Sequence, residues 1–69
     1  MVDTELLEHK IEQSGKKKGY LAKQCKLSRA GFRNCEINKA SFTYGQVRIL
    51  CQELNITDPA EEKSIFFAN

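Results

Sequence analysis

Leu21-Ala22-Lys23-Gln24-Cys25-Lys26-Leu27-Ser28-Arg29, continuing through Phe32 to Glu36, is the stretch on which the fold turns. Leu21, Ala22 and Cys25 recur at the spacing of one helical face. Ala22 is small enough to allow close contact with a following helix. Lys26-Leu27 breaks that periodicity as a turn, with Leu27 directed back to the core. Ser28 then suits a helix N-cap, because its hydroxyl can accept an otherwise unpaired backbone N–H. Phe32 and Cys35, three apart, form the inward side of the next helix. Arg29, Ala30, Arg33 and Asn34 are left on its outer side. Arg29 and Arg33 are four apart, where like charges repel by roughly a few tenths of a kcal/mol. An anionic partner would relieve that repulsion.

The charge pattern points the same way. Eight of the eleven Lys and Arg residues lie between Lys16 and Lys39, accompanied by one acid, Glu36. The remainder of the chain has three basic residues against eight acidic ones, so a formal charge of +2 conceals a strong division. Segregation of this kind implies a cationic face and a polyanionic partner.

The flanking segments read as further short helices, five in all. The first runs over about residues 4–13, capped by Asp3 or Thr4. Leu7 and Ile11 form its inward stripe with Leu6 alongside, and Ser14-Gly15 ends it. The second and third occupy about 18–25 and 28–37. Phe42 folds inward, and Thr43 caps a fourth helix over about 43–54 with Val47, Leu50, Cys51 and Leu54 facing the core. Asp58-Pro59-Ala60-Glu61 combines an acidic cap with proline at the first helical position and starts the fifth, about 59–67. Ile65 and Phe66 are its core positions, and Phe67 does not share their face. Residues 1–69 are thus expected to form one all-α domain with no internal repeat.

Composition narrows the function. A 69-residue chain, 41% hydrophobic and 29% charged, can bury one small core but leaves little chain for a separate substrate cleft. No apolar run reaches membrane-spanning length, and the acidic N-terminal segment lacks the pattern of a secretory signal. An intracellular protein is expected. Cys25, Cys35 and Cys51 are spaced by ten and sixteen, without the close pairs of a zinc site, and each falls at an apolar helical position. They are expected to be buried, reduced thiols, with no metal and no cofactor. A Cys35 nucleophile assisted by His9, the only histidine, would be buried, so no enzyme activity is expected.

The run Leu21 to Arg29 followed by Phe32 and Glu36 resembles the helix-turn-helix of the lambda-repressor-like, Cro/XRE family. The acidic first helix, the Phe42-Thr43 start of the fourth and the closing Ile65-Phe66-Phe67 look more narrowly like small phage and prophage Cro-like regulators. The resemblance covers nearly the whole chain and implies a five-helix lambda-repressor-like DNA-binding domain. It places the helix after Ser28 in the major groove of double-stranded DNA, with Ser28, Arg29, Ala30, Arg33 and Asn34 facing base edges. Arginine can bond guanine bidentately, asparagine can do the same with adenine, and Ala30 can meet a thymine methyl. Lys17 and Lys18 match family positions on the sugar-phosphate backbone, with Lys39, Ser41 and Thr43 holding it on the other side.

Three departures from the family pattern stand out. Lys26 replaces the usual turn glycine, Gly31 stands within the third helix, and Ile37-Asn38 replaces an asparagine-glycine ending. Gly31 weakens the helix but would let the backbone approach DNA closely.

The implied mechanism is operator occupancy. A homodimer would set two recognition helices about 34–36 Å apart on a pseudo-palindromic operator and repress transcription in the cytoplasm of a bacterial host cell. Phe66 and Phe67 are the candidate dimer contacts, against the alternative that Phe66 belongs to the core and Phe67 is a frayed end. No small-molecule effector site is evident. The competing function is a protein-binding adaptor or antitoxin-like module acting through the fifth helix.

Overall fold

Asp3, Ser28, Thr43 and Asp58 each accept a backbone N–H at the start of a helix, from Leu6, Gly31, Gln46 and Ala60 respectively. In the computed structural model, which describes residues 1–69, they open α1 (Thr4–Ser14), α3 (Arg29–Glu36), α4 (Tyr44–Glu53) and α5 (Pro59–Phe66). Only α2 (Lys18–Gln24) starts without a side-chain cap. The chain is all-α with no strand, and its helix ends lie within a residue or two of those read from periodicity. Thr43 and Gln46 form a reciprocal capping box. The Gln46 amide also donates to the Cys25 carbonyl at 3.0 Å, tying the start of α4 to the end of α2.

Three helices end on a residue other than glycine in the left-handed region: Lys26 (φ 59°), Asn38 (φ 67°) and Asn55 (φ 58°). After each, the chain closes back on its helix. Leu27 N–H donates to Ala22, Lys39 to Asn34 and Ile56 to Cys51, at 2.8–2.9 Å. These closures satisfy carbonyls that a helix end would leave unpaired. After α2 and α4 they also turn an apolar residue inward. Ile56 is buried, and Leu27 packs against the core. Asparagine tolerates this conformation through local hydrogen bonding. Lysine does not have that means.

α2 packs against α3 and α4, while α1 packs against α5. Leu7, Ile11, Leu21, Ala22, Cys25, Phe32, Val47, Leu50, Cys51, Leu54, Ile65 and Phe66 form the expected core. Val2 and Ile56 join it from segments that carry no helical periodicity. Leu6, expected beside the inward stripe of α1, is instead 42% exposed. With Leu7 and Ile11 fixing the buried direction, Leu6 falls toward the edge of that face. Phe32 meets Phe42 edge to face at 5.6 Å, and Phe42 meets Phe66 at 6.1 Å. Cys25, Cys35 and Cys51 are buried free thiols.

The conformation of Lys26 gives a direct test. Lys26→Gly should stabilise the protein by about 1 kcal/mol, because a Cβ in the left-handed region is strained and glycine is not. Urea unfolding should show a higher midpoint with an unchanged slope.

Candidate nucleic-acid interface

The outer side of α3 follows from what its inner side buries. Phe32 is fully enclosed, Cys35 and Glu36 are buried, and Arg29, Ala30, Arg33 and Asn34 are exposed. At 3.6 residues per turn these four fall within an arc of about 140°. Ser28, also exposed, caps the helix through its oxygen at 3.0 Å from Gly31 N, which leaves its hydroxyl hydrogen free to donate. The position of a Cβ on Gly19 in α2 would lie 3.7 Å from Arg29 Cδ, so the Arg29 stem lies over the first turn of α2. Gly31 has a reason within the fold. A Cβ there would stand 3.2 Å from Ser28 Oγ and 3.6 Å from a Leu27 methyl, crowding the cap and the turn. Close packing inside the α2–α3 turn accounts for this glycine.

The cations of the 16–39 stretch divide into two groups. Lys16 Nζ bonds the Glu53 carbonyl at 2.7 Å and its carboxylate at 2.8 Å, at the end of α4, where a positive charge complements the helix dipole. Tyr20 donates to the same carboxylate at 3.1 Å. The Lys16 hydrogen bond, followed by that of Tyr20, holds the Glu53 carboxyl below its ordinary range against the effect of partial burial. Lys18 Nζ bonds Glu8 at 2.6 Å and forms an ion pair with Glu36 at 3.1 Å. Of the eight basic residues, removing Lys16 and Lys18 leaves six: Lys17, Lys23, Lys26, Arg29, Arg33 and Lys39. All six are exposed and in no ion pair, and they lie on α2 and α3 or immediately beside them.

The expected backbone contacts are therefore not equivalent. Lys17 precedes α2 and is free to meet an anion. The Lys18 ammonium instead lies between two carboxylates, those of Glu8 and Glu36. Lys39 and Ser41 are exposed in the α3–α4 connection. Thr43 is exposed as well, with its oxygen accepting from Gln46 N. Of the two candidate dimer residues, Phe66 is 4% exposed and belongs to the core, while Phe67 is 49% exposed. The Phe66 ring meets that of Phe42 edge to face. Phe67 borders an apolar groove of about 160 Å³ shared with Met1, Val2, Phe42 and Val47.

The burial of Glu36 and the bracketing of Val2 by Asn38 were not expected from the sequence. Glu36 is the only buried charged residue. Its position four after Phe32 places it on the inward stripe, and that spacing was the available signal. Asn38 brackets Val2, accepting from its N–H at 2.7 Å and donating to its carbonyl at 3.0 Å. No local pattern announces a contact across 36 residues.

No group of three or more His, Cys, Asp or Glu side chains converges to hold a metal ion. His9 is exposed, whereas burial raises the Cys35 and Cys51 thiols and drives Cys25 up to about 11. A thiol shifted upward is the opposite of an activated nucleophile. No helix is long and apolar enough to cross a membrane. Compared with protein-family models, curated proteins and solved structures, the chain matches none.

The hydrogen bond from Lys18 lowers the Glu8 carboxyl, overriding partial desolvation that acts in the other direction. A depressed carboxyl contributes stability above its ordinary range, and that contribution is lost as pH falls through the lowered value. Thermal melts between pH 6 and about pH 2 should therefore show a shallower acid-side decline for Glu8→Gln than for the unmodified protein.

Proposed function

We propose that this chain is a sequence-reading double-stranded DNA-binding regulator of the helix-turn-helix, lambda-repressor-like type, similar to small phage Cro-like repressors. The observation that carries the reading is the make-up of α3. Its buried side anchors it through Phe32, while Arg29, Ala30, Arg33 and Asn34 stand exposed within one arc, with neither arginine in an ion pair. Arginine and asparagine are the side chains whose paired donors and acceptors fit base edges bidentately. Lys17 and Lys39, also free of carboxylate partners, are the backbone contacts, with Ser41 and Thr43 beside them. Ser28 adds a hydroxyl at the start of the helix.

The protein acts by occupancy, as a homodimer on a pseudo-palindromic operator with recognition helices about 34–36 Å apart, without a cofactor. Exposed Phe67 beside the apolar groove supports a contact with a second copy. The same feature favours the competing reading, an adaptor or antitoxin-like module that binds a different protein.

Selection of bound duplexes from a random pool separates the two. DNA reading predicts a palindromic consensus, with discrimination at one base pair reduced by about 1–3 kcal/mol in Arg33→Ala. Lys17→Ala should weaken all duplexes alike and reduce the slope of log K against log salt by about 0.9. Recovery of no consensus, with only weak and wholly salt-dependent binding, rejects this reading in favour of the protein-binding one.

A further inference from the structure

A single ammonium joins three helices where α3 ends. Lys18, the first residue of α2, lies 2.6 Å from Glu8 of α1 and 3.1 Å from Glu36, the last residue of α3. The Glu36 side chain is only 2% exposed, and its Oε2 faces Lys18 without the alignment of a hydrogen bond. No other cation lies within ion-pair distance of Glu36. The backbone at this end of α3 is tied down as well. Thr4 Oγ1 donates to the Glu36 carbonyl at 2.8 Å, and Asn38 brackets Val2.

Apolar packing holds a helix against its neighbours but is non-directional, so it constrains roll about the helix axis weakly. A buried carboxylate that needs its one counter-charge constrains roll much more strongly, because rotation would leave it unpaired. Glu36 stands four residues after Phe32 and three after Arg33, so its side chain lies in the turn next to both. Rotation of α3 that displaced Arg33 would draw Glu36 away from Lys18.

We propose that Lys18 and Glu36 are positioning residues for DNA recognition. Their ion pair sets the roll of α3 and hence the placement of Arg29, Arg33 and Asn34 against base edges, while Lys18 itself takes no phosphate. This inference rests on the DNA-binding reading above. It assigns a lysine within the cationic stretch to sequence discrimination in place of general affinity.

The test compares the full chain with Lys17→Met, Lys18→Met, Glu36→Gln and the Lys18→Met/Glu36→Gln double variant. Binding is titrated over a range of salt concentrations to the selected duplex and to a scrambled duplex of equal length. The temperature is one at which circular dichroism shows each titrated variant folded. Lys17→Met is expected to lower the salt slope by about 0.9 and to leave the selected-to-scrambled affinity ratio intact. Lys18→Met is expected to leave the slope unchanged and to reduce that ratio by about tenfold, the size of one misplaced base contact. Glu36→Gln should reduce the ratio in the same way.

The double variant buries no unpaired charge, so it remains informative if Lys18→Met does not fold. Its thermal midpoint should recover relative to Lys18→Met while its ratio stays low. A slope lowered in Lys18→Met as in Lys17→Met would make Lys18 a phosphate contact and overturn the proposal. Recovery of the ratio together with stability in the double variant would reduce the pair to a structural role and also overturn it. An unmodified protein with no preference between the duplexes would reject the DNA-reading function itself, and the inference with it.

Discussion

The ring of Phe32 is fully enclosed, and it meets Phe42 edge to face, which in turn meets Phe66. This aromatic series links α3, the α3–α4 connection and α5 in one core. Aromatic pairs of this geometry contribute roughly 0.5–1.5 kcal/mol beyond the area they bury. In a 69-residue chain, where burial is proportionally small, the loss of one such ring would be difficult to offset elsewhere. The outward side of α3 exists because Phe32 points inward. With that ring and Cys35 buried, helical geometry leaves Arg29, Ala30, Arg33 and Asn34 no other direction than solvent.

Electrostatics then adds order to what packing leaves loosely defined. The chain concentrates its cations in one stretch, yet the fold does not leave them all available. Lys16 closes the end of α4 against Glu53, and Lys18 bridges Glu8 and Glu36. Lys16 thereby ties α4, and Lys18 ties α1, to the basic centre, so the charge division of the sequence becomes in part an internal adhesive. The acids of α5 are likewise not all free, since Lys10 pairs with Glu61 and Arg48 with Glu62. The exposed pairs contribute little individually. The pair involving buried Glu36 differs, because a carboxylate without water needs its counter-charge.

The turns show how a short chain compensates for few glycines. Left-handed residues end α2, α3 and α4, and all three are lysine or asparagine. Asn38 gains a second role, since its amide holds Val2 while its backbone reverses the chain. Lys26 has no comparable benefit and carries strain at the junction that sets α3 against α2. That strain is offset by the Leu27 to Ala22 closure, the contact of Leu27 with the core and the Gln46 bond to Cys25.

Local chemistry was enough to determine the helices. Caps at Asp3, Ser28, Thr43 and Asp58, and apolar spacing from Leu7 to Phe66, depend on neighbours within a few residues, so they can be read directly along the chain. The exposed quartet on α3 follows from the same periodicity. What lay beyond local reading depended on contacts between distant segments. Val2 and Ile56 enter the core from segments without periodicity, and Leu6 leaves the buried face of α1. Lys18 is diverted from solvent to two carboxylates. A residue's type and spacing determine which face of its own helix it occupies. Whether a lysine there meets water or a buried carboxylate is decided only when another helix brings that carboxylate within about 3 Å.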